Sequence, residues 1–170
     1  FYYTPPTDFL ALCTSNLPAV AVIPSEYFNT ILYDDGAGAK TGVGFQPDLV
    51  WLKARGSEST GYEHKVTDAV RGVTKAFVTN TNAAETTDST GLTAFGADGF
   101  TVGSDSDYAD TTGDGIVAWN WKAGNAISGT GDFTQGTRPS TCSRDVDAGF
   151  SIVSYTGDGV YATTVGHGLS

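Results

Sequence analysis

Two six-residue segments of this chain are near copies of each other. Residues 28–33 are FNTILY and residues 150–155 are FSIVSY, so each runs from Phe to Tyr through apolar and small residues. A turn of small and acidic residues follows each segment, and a Gly-rich hinge follows the turn, at residues 43–45 and 165–169. The spacing of about 120 residues exceeds the period of solenoid and propeller repeats, so it indicates serial copies of a whole small domain.

The repeat divides the chain into four predicted segments. Residues 1–24 are rich in proline, which disfavours long regular elements, and we interpret them as the end of a preceding domain plus a linker. Residues 25–124 form one β-sandwich module. Residues 125–148 are low in hydrophobicity and form either a linker or a long edge excursion. Residues 149–170 begin a second, truncated copy, so we expect a window from a longer tandem protein.

The composition predicts an all-β fold. Glycine makes up 22 of the 170 residues, aromatic residues 12% and charged residues only 16%. Branched and aromatic side chains fit a pleated surface, while glycine supplies tight reversals. Apolar segments recur without a convincing amphipathic helix between them, which favours antiparallel sheets packed as a sandwich of the jelly-roll or lectin-like type. Pairing of residues 27–33 with 115–122 is predicted to close the module.

Local patterns predict where the core lies. In residues 48–55 the side chains alternate, so Val50, Leu52 and Ala54 share the face that we expect to be buried. In residues 115–122, Trp119 and Trp121 share one face, and the large area of two indoles predicts that they anchor the core.

Two turns are also predicted. Asp98-Gly99, flanked by aromatic residues, is a hairpin signal, because such a turn requires positive φ. Arg71 follows Asp68 by three positions and precedes Gly72, which predicts either a structural ion pair or a clamp on a backbone carbonyl.

The charge distribution argues against two classes of partner. The formal net charge is −10, and the nine basic residues are scattered, so no basic patch is expected to neutralise a row of phosphates. Nucleic acid is therefore not predicted as a ligand. No run of 18 apolar residues occurs, so insertion into a membrane through a helix is not predicted either.

An acidic cluster is the one group with the composition of a metal site. Asp105, Asp107 and Asp110 lie close together on a Gly-bearing loop, and Ca²⁺ takes six to eight oxygen ligands of this kind. The EF-hand pattern fails, because Ala109 stands where the third ligand belongs and no Glu follows at the required spacing. The alternative is a solvated loop that binds no metal, and no other cofactor is predicted.

The sequence predicts no catalytic residues. The only two histidines, His64 and His167, belong to different predicted modules, and neither lies near a nucleophile motif such as GxSxG. A sugar-binding site is the alternative to a purely structural role: Trp51 faces away from the predicted core, and Tyr62 and Tyr108 lie in polar segments, so these rings are candidates for stacking on a sugar. The other interpretation of Trp51 is a contact with a neighbouring module or subunit.

Several motifs in a fixed order resemble a known family. They are VGFQPDLVW, VRG, GFTVG and IVAWNWK, followed by GFSIVSYTGDG. In this order they resemble the repeated β-sandwich module of large structural proteins of tailed bacteriophages, particularly marine ones. The preceding TPPTDFLALCTSNLP resembles the C-terminal edge of a SPRY-like, concanavalin-type domain.

The resemblance implies a virion component rather than an enzyme. It implies a position on the tail, a fibre or the capsid exterior, assembly as a homo-oligomer, often trimeric or ring-like, and contacts with other virion proteins. It supplies no catalytic set. The alternative function is a carbohydrate-binding adhesin that contacts a glycan on the host surface.

Overall fold

A computed structural model gives the fold of the chain. It describes residues 4, 6–7, 22–56, 61–110, 112–128 and 136–169. Within this part a short 3-10 turn, Pro24–Glu26, precedes a series of β-strands. No helix in the described part is long and apolar enough to cross a membrane. The strands are β1 (Phe28–Tyr33), β2 (Gly38–Thr41), β3 (Leu49–Ala54), β4 (Lys65–Asp68), β5 (Lys75–Val78), β6 (Thr86–Thr87), β7 (Leu92–Gly96), β8 (Gly99–Val102), β9 (Ile116–Trp121), β10 (Asn125–Ser128), β11 (Ser140–Asp145) and β12 (Phe150–Tyr155).

These strands form three antiparallel sheets. The largest has six strands in the order β1-β9-β3-β4-β5-β6, the second is β2-β8-β7, and the third is β10-β11-β12. Side chains from the six-stranded sheet and from β7 and β8 meet in one hydrophobic cluster, so these two sheets form the layers of a sandwich. The predicted all-β, antiparallel sandwich is confirmed.

The core lies between these two layers. Val50 and Leu52 of β3 are fully buried and Ala54 is 5% exposed, which confirms the face predicted from their alternation. The second layer contributes Leu92, Phe100 and Val102.

The prediction that the indoles of β9 anchor this core is wrong. Strand β9 buries Ile116, Ala118 and Asn120, while Trp119 and Trp121 are half-buried on the opposite face. Large side chains from the other side of the sandwich, including Phe100, fill the interlayer space, so the strand facing them presents small and aliphatic residues. Asn120 is tolerated there because its Nδ2 donates to the carbonyl oxygens of Asn29, at 3.2 Å, and Ala118, at 3.0 Å.

The predicted pairing that closes the module is confirmed. Strand β1 pairs with β9 along its whole length, from Phe28 opposite Trp121 to Tyr33 opposite Ile116. The pairing makes β9 an interior strand of the larger sheet, because β3 pairs with its other side.

The predicted hairpin is confirmed as well. Strands β7 and β8 pair around Ala97 and Asp98, with Gly96 opposite Gly99. The Asp98 carboxylate accepts hydrogen bonds from the backbone N–H groups of Gly44, at 2.6 Å, and Gly42, at 3.0 Å. These two bonds lower the pKa of Asp98 and tie the β7–β8 turn to the loop that follows β2.

Residues 125–148, predicted to be a linker or a long edge excursion, contain β10 and β11. Strand β10 pairs with β11, and β11 pairs with β12. Low hydrophobicity did not prevent strand formation here, since backbone hydrogen bonds rather than apolar side chains hold such a ladder together. Strand β12, the repeat of β1, pairs with β11, and its role as the start of a second module stays a prediction. Most of the predicted preceding domain, residues 1–24, lies outside the described residues.

Candidate functional site

The six-stranded sheet presents an apolar surface on the side away from the core. We call this surface the outer face. Cross-strand pairing puts Trp51 opposite Trp119 on one side and opposite Val66 on the other, and Val66 opposite Phe77. Four strands therefore contribute to one continuous row. The outer face comprises this row and its apolar neighbours, namely Phe28, Leu32, Trp51, Val66, Phe77, Val117, Trp119 and Trp121.

Ring contacts fix the aromatic side chains of the outer face. The Trp51 and Trp119 rings lie 5.4 Å apart between centroids at 54°, and Phe28 lies 4.9 Å from Trp121. Cross-strand aromatic pairs of this kind stabilise a sheet by about 0.5–1.5 kcal/mol beyond the area that they bury. Phe150 of β12 stacks on Trp121 at 6.0 Å, so the third sheet covers that end of the outer face.

Several side chains of the outer face are well exposed. Leu32 is 60% exposed, Phe77 42% and Trp51 36%. A contiguous group of exposed apolar side chains on one sheet is typical of an interaction surface, whereas singly scattered ones are not.

A cavity of about 230 Å³ lies where β12 approaches the outer face. Arg71 lies in this cavity, with its guanidinium carbon 3.9 Å from the centroid of the Phe77 ring. Its Nε pairs with Asp68 at 2.6 Å, and its Nη2 donates to the Val66 carbonyl oxygen at 3.1 Å, so both predicted roles of Arg71 are present. The cavity is lined by Asp68, Arg71, Phe77, Ile152, Val153, Ser154 and Tyr155.

The three rings predicted to stack on a sugar do not come together. Trp51 is exposed on the outer face, and Tyr62 packs, partly buried, against the core. Tyr108 is only 1% exposed inside the core, and burial raises the pKa of its hydroxyl to about 12. An enclosed ring offers no face to a ligand, so the prediction for Tyr108 is wrong. Trp51 alone among the three retains the required exposure.

The predicted metal ligands are engaged in local hydrogen bonds. Asp105 accepts from the N–H of Asp107, and Asp107 accepts from the N–H of Glu63 and pairs with Lys65. Asp110 accepts from backbone and side-chain donors of the loop that leads into β9. The described residues contain no group of three or more His, Cys, Asp or Glu side chains that could hold a metal ion.

The solvated-loop alternative describes only part of the same segment, in which Ser104, Ser106 and Thr112 are exposed. Tyr108 and Ala109 are each 1% exposed and Asp110 is 5% exposed, so the middle of the loop is part of the interior. Its acidic side chains accept hydrogen bonds from backbone N–H groups of the loop and so hold the loop in a folded conformation.

Sequence reasoning missed the outer face because both faces of β9 carry apolar residues. Alternation shows which residues share a face, but it does not show which face is covered. The sequence did contain one indication of the outer face. Trp51 lies on the side of β3 that is opposite its correctly predicted core face.

Comparison with known proteins assigns the chain to a family. A search of the curated proteins gave no match, and a search of the solved structures gave none. One family model matches residues 23–170, a range that includes all three sheets. This chain therefore belongs to the family described as Domain of unknown function (DUF7483).

Proposed function

We propose that this chain is a non-enzymatic structural module of a tailed-bacteriophage virion, which assembles with copies of itself through the outer face. The observation that carries the proposal is the open apolar row around Trp51 on a rigid six-stranded sheet. The resemblance of its motifs to phage structural modules supports the virion assignment. Tail, fibre and capsid exterior are the positions where repeated sandwiches of this kind supply length and attachment.

The size of the open area suits the centre of a subunit interface. Phe28, Leu32, Trp51 and Phe77 are between 36% and 60% exposed. With about 150–250 Å² per aromatic side chain, these four residues offer roughly 300–400 Å². A standard interface buries about 800 Å² per partner, with an apolar centre and a polar rim. The open row therefore supplies the apolar centre, and polar surroundings complete the contact.

We expect two substitutions on the outer face to dissociate the assembly. Leu32→Ser and Trp51→Ser together remove two exposed anchors, and we expect the self-association constant to fall about 100-fold or more, since truncating a central anchor costs about 2 kcal/mol or more. Light scattering after size-exclusion chromatography and sedimentation velocity measure the effect.

The matched control is Tyr161→Ser, which removes an aromatic side chain that is 97% exposed and lies outside the outer face. It should leave the assembly unchanged. A wild-type chain that stays monomeric at its highest soluble concentration would overturn assembly through this face. Absence of the polypeptide from purified particles of the encoding phage, measured by mass spectrometry, would overturn the virion assignment separately.

A carbohydrate-binding adhesin is the second candidate. It is favoured by the exposed Trp51 and Phe77 rings, since exposed aromatic faces stack on sugars, and by the polar groups of Arg71 and Asp68 beside Phe77. On a glycan array the wild-type chain should then give a signal that Trp51→Ala abolishes and Tyr161→Ala keeps. Equal signals for both variants would contradict a sugar site on the outer face.

A further inference from the structure

A buried lysine and a partly buried aspartate meet at the end of the core. Lys65 begins β4, and its Nζ lies 3.0 Å from Oδ2 of Asp107, in the loop after β8. The Lys65 side chain is 11% exposed and the Asp107 side chain 13%. The ring of Tyr108, with its centroid 6.0 Å from Nζ, forms part of the surroundings. Amine and carboxyl are thus held in contact with little access for water.

Two further acidic residues adjoin this pair. Glu63 donates its backbone N–H to Oδ1 of Asp107 at 2.7 Å, and its own Oε2 is buried without a hydrogen-bond partner in the described part of the chain. Asp105 accepts the N–H of Asp107 at 2.8 Å. Burial raises the pKa of Asp105, and the charges of Asp88 and Asp107 raise it further. The hydrogen bond from Asp107 N–H and the charge of Lys65 act in the opposite direction and lower the pKa. The site therefore contains groups able to hold and release a proton.

We propose that Lys65 and Asp107 condense to form an intramolecular isopeptide bond. In the first step, a proton passes from the ammonium to the carboxylate and gives a neutral amine and a neutral acid, the forms that react. The Nζ lone pair then attacks Cγ of Asp107 to form a tetrahedral adduct. Asp105 or Glu63 acts as a general acid–base: it accepts the proton that the nitrogen loses and donates it to the departing hydroxyl group.

The reaction balances without any other reactant. The N–C bond between Nζ and Cγ forms, and one C–O bond of the Asp107 carboxyl breaks. Two of the three ammonium hydrogens leave with that oxygen as one water molecule, and the opposite charges of the pair cancel. Nothing is oxidised or reduced, so neither a metal nor a cofactor is needed.

Proximity lowers the barrier to this condensation. Groups held in reacting geometry react as if they were at effective concentrations of about 10⁵–10⁸ M, because little further entropy is lost in bringing them together. A second close pair provides the contrast. Lys40 also contacts a carboxylate, that of Asp35, but the Asp35 side chain is 66% exposed. Water has free access to that carboxylate, so we expect Lys40 to stay unmodified.

The cross-link would fasten the two layers of the sandwich. Lys65 belongs to the six-stranded sheet, whereas Asp107 lies in the loop that leaves β8 of the opposite layer. A covalent bond here closes the intervening chain into a loop, and it resists forces that separate the layers. Such a bond would suit a module that carries mechanical load, although the proposal does not depend on that function.

The intact mass of the freshly purified chain tests the proposal. We expect a mass lower by one water than the sequence requires, retained after full denaturation and reduction. Trypsin should fail to cleave after Lys65, so the peptide of residues 56–71 should stay joined to the peptide of residues 76–122. A chain of full sequence mass with normal cleavage after Lys65 would overturn the proposal.

Substitutions assign the bond to the two residues. Lys65→Arg keeps the positive charge but removes the nucleophilic amine, and Asp107→Ala removes the acid, so both should show the full mass. Asp107→Asn should react with loss of ammonia instead of water, which is a change that a merely structural pair would not show. Lys40→Arg is the matched control, and it should lose water as the wild type does.

Two outcomes separate the proposed chemistry from its alternatives. Aspartate followed by glycine can lose water to form a succinimide, and this chain contains such pairs at residues 35–36, 98–99, 114–115 and 158–159. A water loss that maps to one of them, and that hydroxylamine cleaves, would contradict the isopeptide bond. Slower water loss in Asp105→Asn or Glu63→Gln would identify the proton carrier, and an unchanged rate in both would refute that role for these residues.

Discussion

Replacing Gly99 with alanine is expected to destabilise the chain by about 3–5 kcal/mol. Gly99 has a φ of +149°, a conformation that residues with a Cβ rarely adopt, and it opens strand β8 directly after the hairpin turn. A Cβ at this position would lie 2.0 Å from the Lys40 carbonyl oxygen of the paired strand β2. The backbone strain and the forced separation of β2 from β8 each cost about 1–3 kcal/mol. Urea unfolding followed by tryptophan fluorescence measures the loss.

Gly36→Ala is the matched control for this substitution. A Cβ at Gly36 has no neighbour within 4 Å, and its φ is outside the positive range. We expect a change within about 0.5 kcal/mol, as for most exposed positions. Equal stability of the two variants would show that the close approach of β2 to Gly99 does not affect the free energy of unfolding.

The sequence was sufficient to predict the fold where local sequence patterns agree with the burial of the side chains. Asp98-Gly99 specifies the hairpin because Gly99, the first residue of β8, has a positive φ that glycine adopts readily. Val50, Leu52 and Ala54 are predictable because their strand alternates with polar or charged residues at Lys53 and Arg55. In both cases a few adjacent residues determine the outcome.

The sequence was insufficient where the outcome depends on a distant partner. Strand β9 is apolar on both faces, and only the opposite layer, with Phe100, determines that Ala118 rather than Trp119 is buried. The size of the indoles favoured a prediction that they are buried, but side chains of the opposite layer already fill the space between the sheets. The same argument explains why the outer face could not be located by periodicity.

The sequence alone identified one residue of the candidate site. Trp51 was identified because it lies opposite a clear core face. Trp119 and Phe77, which share its row on the sheet, are 68 and 26 residues away in sequence. Tyr108 was misplaced because the acidic residues around it made its segment look solvated. Those acids accept hydrogen bonds from backbone N–H groups, and this use of carboxylates is not visible in composition.

The loop that leads into β9 depends on one carboxylate, and its removal is the second large expected effect. Asp110 is 5% exposed; its Oδ1 accepts from the N–H and hydroxyl of Thr112, each at 2.8 Å, and from Gly113 N–H at 3.1 Å. Its Oδ2 accepts from the buried N–H of Gly115 at 2.6 Å. Asp110→Ala leaves that donor unsatisfied and frees the loop, so we expect a loss of about 2–4 kcal/mol at neutral pH.

The dependence of this loss on pH distinguishes the carboxylate from simple packing. Burial alone would raise the pKa of Asp110, but the bonds from Thr112, Gly115 and Gly113 outweigh it and leave the pKa below its ordinary value. Since the folded pKa is the lower one, the stabilisation is complete above the unfolded pKa of about 3.9 and is lost as pH falls through the folded pKa. Urea unfolding across this range should show wild type and Asp110→Ala converging in acid. The exposed Asp34→Ala should match the wild type throughout, and a constant difference for Asp110→Ala at every pH would refute the role of its charge.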